Sequence, residues 1–77
     1  MSTIHFFRFA NGCAPKSVEM GGYCTCDVIA KSAKKNMGLA GKLIDACYDE
    51  NADLKAAVTG TIFSGMRAVG RFRVISP

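Results

Sequence analysis

The run Asp27–Tyr48, DVIAKSAKKNMGLAGKLIDACY, decides how this chain is read. Ile29, Ala33, Met37, Ala40, Ile44 and Cys47 recur at spacings of 4, 4, 3, 4 and 3, which draws one apolar stripe along a helix. Lys31, Lys34, Lys35, Lys42, Asp45 and Asp49 fall outside that stripe. The spacing therefore predicts a single helix from Asp27 to Tyr48. Thr25 is placed to cap it, and Asp27 in the first turn suits the positive end of the helix dipole. Gly38 and Gly41 oppose this reading, because each costs about 1 kcal/mol relative to Ala in a helix interior. Either they admit close packing onto a sheet, or they break the run into two shorter helices.

Outward from the helix the chain reads as strands. Thr3-Ile4-His5-Phe6-Phe7-Arg8-Phe9 is rich in β-formers, and period-two geometry puts Thr3, His5, Phe7 and Phe9 on one side and Ile4, Phe6 and Arg8 on the other. Asn11-Gly12 and Pro15 end that strand. Residues 17–24 form either a second short strand or a loop, since Gly21-Gly22 weakens strand pairing. After the polar hinge Asp49-Glu50-Asn51-Ala52-Asp53, the segments Ala57–Phe63 and Met66–Ser76 flank Ser64-Gly65, a two-residue hairpin connection. A closure from Phe63 to Met66 would pair Ile62 with Arg67 and Gly60 with Val69. On the last strand Ala68, Phe72 and Val74 would share one face; Arg67, Val69, Arg71, Arg73 and Ile75 would share the other. The expected fold class is α+β: one amphipathic helix packed on a three- to four-stranded antiparallel sheet, order β(β)αββ, as a single compact domain over residues 1–77.

The composition fits one small globular unit. The chain has 77 residues, 49% of them hydrophobic and 21% charged, which is too apolar for intrinsic disorder and too short for a two-domain enzyme. A domain of this size buries only about 60% of its unfolded surface, so its core is marginal. Ten Lys and Arg against six Asp and Glu give a net charge of +4, which tilts the expected partners towards acidic ones. The first ten residues hold His5 and Arg8 and lack the continuous apolar region of a secretory signal. No run is long and apolar enough to span a bilayer. The expected setting is cytoplasmic, with no membrane association and with cysteines as thiols.

No catalytic constellation emerges. Cys13, Cys24, Cys26 and Cys47 are spaced C-x10-C-x-C-x20-C, without the C-x2-C knuckle of common structural zinc modules. Cys47 on the apolar stripe reads as a small core residue. A metal, a disulfide and a reactive thiol are the other readings of the four cysteines; the expectation is reduced structural thiols, no metal and no cofactor. His5 is the only histidine, and nothing in the sequence brings a cysteine or an orienting group to it. Asp45, Asp49, Glu50 and Asp53 read as a solvated acidic patch. Gly38-Leu39-Ala40-Gly41-Lys42 lacks the glycine spacing and the hydroxyl residue of a phosphate-binding loop. Phe6, Phe7, Phe9 and Phe72 do not make the aromatic string of an RNA-recognition sheet.

The basic residues carry the functional expectation. Lysines early in a long helix and acids late in it run against the dipole preference, so stability alone would favour the reverse order. Arg67, Arg71 and Arg73 on one strand face present guanidinium forks suited to phosphate or carboxylate. The expected partner-binding set is Lys31, Lys34, Lys35, Lys42, Arg67, Arg71 and Arg73. The competing reading is a solvated helix face and a charged strand that discourages edge pairing. The function expected is that of a small non-catalytic module occupying a surface of a larger protein or ribonucleoprotein complex with an acidic face. An inhibitor or accessory subunit of a nucleic-acid-handling complex, such as a phage or mobile-element inhibitor of a bacterial defence complex, has this size and character. Direct sequence-independent nucleic-acid binding and a Cys-coordinated metal-binding domain are the alternatives. Homodimerisation through strand edges or the helix is compatible with all three.

Overall fold

The computed structural model describes residues 2–22, 24–49 and 57–75. Its elements are β1 (Ser2–Phe7), β2 (Lys16–Met20), α1 (Cys26–Asn36), β3 (Ile44–Tyr48), β4 (Ala57–Ser64) and β5 (Arg67–Ile75). The strands make one sheet in the order β2-β1-β5-β4-β3, every neighbouring pair antiparallel. The α+β class stands, but the sheet has five strands and the chain order is ββαβββ, because the expected long helix supplies both α1 and β3.

The helix begins as expected. The Thr25 side chain accepts a hydrogen bond from the Val28 N–H at 3.3 Å, and Asp27 occupies the first turn. It ends eleven residues later, at Asn36. Gly38 adopts φ +69° and Gly41 φ +81°, left-handed values that no residue inside a right-handed helix takes. Met37 donates its N–H to the Ala33 carbonyl, and the Asn11 side-chain amide donates to the Met37 carbonyl at 2.8 Å, so the exposed end of the helix is satisfied from another part of the chain. Ile29, Ala33 and Met37 are buried as the stripe predicts, whereas Ala40 and Cys47 are exposed. In β3, alternation replaces the helical period. Ile44, Ala46 and Tyr48 turn towards the helix, and Asp45 and Cys47 turn away.

The core lies between α1 and one side of the sheet. Ile4 and Phe6 from β1, Ile62 from β4, Phe72 and Val74 from β5, and Ile29, Ala33, Met37 and Leu39 from the helix and its exit form one cluster. Burying each large aliphatic or aromatic side chain contributes about 1.5–3 kcal/mol. Tyr48 closes one end, its hydroxyl donating to the Cys24 carbonyl and its ring meeting Phe72 edge-on at 5.4 Å.

Three local departures alter which residues share a face. β1 ends at Phe7, and Arg8 takes φ +55°, which reverses the alternation. Phe9 consequently turns to the core, edge-on to Phe6 at 6.1 Å, and Arg8 is left exposed beside the Phe7 ring. Secondly, the hairpin connection is Gly65-Met66, not Ser64-Gly65. Gly65 at φ +64° is followed by a residue of ordinary φ, the arrangement of a type II′ turn, and Ser64 pairs with Arg67. Thirdly, Ile62 pairs with Gly70 and Phe63 with Ala68, so Val69 is the extra residue of a β-bulge. Ala68 is exposed, against the expectation that it shares a face with Phe72 and Val74. The Phe9 ring fills the place a side chain at residue 70 would take.

The short strand read at 17–24 is β2, residues 16–20, ended before Gly21-Gly22. Of the polar hinge, Glu50, Asn51, Ala52 and Asp53 lie outside the described residues.

Candidate functional site

The cations expected to form one surface fall on two opposite sides of the sheet. The division follows from the bulge. Residues paired directly across antiparallel strands point the same way, so Arg67 goes with Ser64 and Ile62 to the helix side, whereas Arg71 and Arg73 go with Thr61 and Thr59 to the other side. A sequence without a bulge would have kept all three arginines together.

On the helix side, Lys31, Lys34 and Lys35 share the exposed stripe of α1 with Asp27. Their order no longer opposes the dipole. In a helix that stops at Asn36, Asp27 stands in the first turn and Lys34 and Lys35 in the last, which is the favourable arrangement. Lys31, Lys34 and Asp27 border a depression floored by Ala30 and Ile44 and rimmed by Leu43, which is 79% exposed. Across the helix crest, Lys31 and Lys35 border a second groove with Val18, Met20 and Val28 along its floor. Lys42 and Arg67 meet around a further pocket with Asn11, Leu39 and Ser64. Among the described residues, none of these five cations makes a salt bridge.

The opposite side carries no helix among the described residues, and none of its described side chains is buried. Alternation brings Thr3, His5 and Phe7 of β1 beside Arg71, Arg73 and Ile75 of β5, with Thr59, Thr61 and Phe63 of β4 beyond. The His5 and Phe7 rings stack at 5.7 Å with planes 18° apart. His5 Nδ1 and the Ser17 hydroxyl share a hydrogen bond of 2.9 Å. In register, Arg73 lies next to His5 and Arg71 next to Phe7, and the Arg8 guanidinium lies 5.9 Å from the Phe7 centroid. Arg8 and Arg71 line one depression, with Thr61, Val69 and Gly70 between them. Arg71 also donates to Asp49 at 2.9 Å, and the Thr59 hydroxyl donates to the same carboxylate oxygen at 2.7 Å.

His5, Phe7 and Arg8 were absent from the expected site. Shared exposure of His5 and Phe7 was legible in the alternation of β1, but the reversal that brings Arg8 to them was not. Asp49, read as part of a solvated patch, is half-buried and bonded to Arg71 and Thr59.

The cysteines do not converge. Cys24 and Cys26 flank the helix start, Cys13 lies near Gly38, and Cys47 is exposed on β3 rather than in the core; all four are free thiols. Among the described residues no three His, Cys, Asp or Glu side chains are grouped as metal ligands. Burial holds the Tyr48 hydroxyl above its ordinary pKa, reinforced by negative charge at Cys24 and Cys26. Among the described residues no helix is long and apolar enough to cross a membrane. Comparison with protein-family models, with curated proteins and with solved structures returns no match to this chain.

Proposed function

We propose that this protein is a non-catalytic binding module that lodges on a larger nucleic-acid-handling complex as an inhibitor or accessory subunit. The observation that supports this is the distribution of cations over both sides of a single thin sheet, each side with its own apolar or aromatic neighbours. An enzyme of this size would concentrate its reactive groups in one cleft; here the cations are spread over shallow surfaces on both sides. On the helix side, exposed Leu43 among Lys31 and Lys34 combines an apolar anchor with a basic rim, the composition of a protein interface facing an acidic surface. A phage or mobile-element inhibitor of a bacterial defence complex is one setting for such a module, an analogy of size and character.

The test is affinity capture of the tagged protein from native lysate after nuclease treatment, read by mass spectrometry. A stoichiometric nucleic-acid-handling complex should survive nuclease, and should be lost with Lys31→Glu, Lys34→Glu and Leu43→Asp combined. Recovery of the chain alone, or capture indifferent to those changes, would overturn the proposal.

A further inference from the structure

We infer that the side of the sheet opposite α1 is a binding platform for single-stranded nucleic acid, read without sequence preference. The inference concerns a different surface from the protein contact proposed above and stands or falls separately from it.

Single-strand binders combine aromatic side chains on which bases stack with cations that follow the phosphate backbone. Both parts are present here. His5 and Phe7 already stack on each other on a face where neither is buried. Arg73 adjoins His5, Arg71 adjoins Phe7, and Arg8 reaches Phe7 from the strand end. Three guanidinium groups therefore border one aromatic pair; of the described carboxylates on this side, Asp49 bonds one edge of Arg71, while Glu19 of β2 and Asp45 of β3 stand on the two edge strands.

The backbone at Arg8 adds an independent argument. A non-glycine residue at φ +55° is uncommon and strained. That conformation turns Phe9 into the core, and it also moves Arg8 off the helix side onto the aromatic face. With Arg71 and Thr61, Arg8 then lines a shallow depression whose remaining walls are Ala10, Ala68, Val69 and Gly70, so two guanidinium groups border one opening. Stacked rings next to this depression favour a nucleotide over an acidic peptide, whose carboxylates need no aromatic platform. A duplex is disfavoured because its bases are not available to stack.

The experiment is fluorescence anisotropy with a labelled oligothymidylate of about 15 nucleotides, a length within the range one small domain covers. The protein should bind it at low salt. Affinity should fall with salt at a log–log slope of about −1.5 to −2, as expected for two or three neutralised phosphates on a single strand. Phe7→Ala should weaken binding about 5- to 150-fold, the range for losing one stacked base. Arg8→Glu with Arg73→Glu should flatten the salt slope. Phe7→Trp should retain binding, and its indole, the only one in a chain without Trp, should be quenched by the oligonucleotide. That variant keeps a bulky ring on the strand, so it reads the site even if the alanine variant is poorly folded.

Absence of binding at low salt would overturn the inference, as would equal binding of duplex. Binding unchanged in both the Phe7 and the arginine variants would also overturn it. If polyglutamate displaced the oligonucleotide and bound as tightly, the face would belong to an acidic protein surface instead. Lys31→Glu, Lys34→Glu and Leu43→Asp combined leave this face intact, so that variant should retain most oligonucleotide affinity while abolishing capture of the protein complex. That contrast separates failure of one proposal from failure of the other.

Discussion

Gly60→Ala is expected to be among the most damaging single methyl additions in this protein. Gly60 sits in β4 between Tyr48 of β3 and Phe72 of β5, in register with both. The empty place of its side chain is where the Phe72 and Tyr48 rings meet edge-on. A methyl group there would fall well inside van der Waals contact distance of Phe72 Cζ and 2.5 Å from the Cys47 carbonyl oxygen. Phe72 is fully buried and cannot swing into solvent, and the carbonyl belongs to a paired strand. Overpacking of this kind costs about 1–3 kcal/mol. Displacing Phe72 from Tyr48 removes about 0.5–1.5 kcal/mol of ring–ring contact as well. The sum, about 1.5–4.5 kcal/mol, is a large part of the roughly 4–12 kcal/mol available to a chain of this length. It corresponds to a fall of about 6–36 °C in Tm. Urea unfolding followed by circular dichroism measures it directly, with Gly21→Ala as control because a methyl there meets nothing within 4 Å. A Gly60→Ala midpoint equal to that of the control would refute the packing argument.

Other perturbations separate the remaining forces. Gly38→Ala places a methyl 3.5 Å from the Asn11 amide, so it fits, but the left-handed backbone should cost about 1 kcal/mol; unchanged stability in urea would show that the loop rearranges. Because burial raises the Tyr48 pKa, the folded state holds its proton more tightly than the unfolded state. Stability tied to it is fully present below the ordinary tyrosine pKa and is lost as pH rises through the raised value. Tyr48→Phe should therefore remove part of the alkaline decline in Tm, and parallel pH profiles would contradict this. Asp49→Asn breaks a half-exposed ion pair and should cost under about 1 kcal/mol by denaturant titration; a larger loss would mean that Arg71 and Thr59 depend on that carboxylate. In native alkylation followed by mass spectrometry, Cys47 should be modified before Cys13, Cys24 and Cys26, which are all less exposed; simultaneous modification would indicate that the fold opens first.

The reading of the sequence failed where two periods coincide. Ile44 and Cys47 satisfy helical spacing, while Ile44, Ala46 and Tyr48 satisfy strand alternation, so the segment Ile44–Tyr48 is compatible with both patterns. Pairing with Gly60–Ser64 decides for the strand, and the two glycines that raised doubt about one long helix are the residues at which it stops. The helix end also decides the electrostatics: Lys34 and Lys35, early in a helix that ran to Tyr48, stand in the favourable last turn of one that stops at Asn36. A similar coupling scattered the arginines. Counting by twos along β5 is correct from Gly70 to Ile75 and fails across Val69, because a bulge is a property of two strands.

What the sequence determined by itself is local: the Thr25 cap and the helix that starts from it, the β character of the segments around Phe6 and Phe72, the special backbone positions at glycine, and the positive charge. Each follows from the side chains of neighbouring residues. The tertiary structure alone decided that residues 44–48 form an edge strand, that Phe9 rather than Arg8 enters the core, and that the cations divide between two faces. Those outcomes depend on which strand lies alongside, and on whether a cavity over Gly70 is filled by an aromatic ring. Such terms are set by contacts between residues far apart in the chain, and no window along one strand contains both partners.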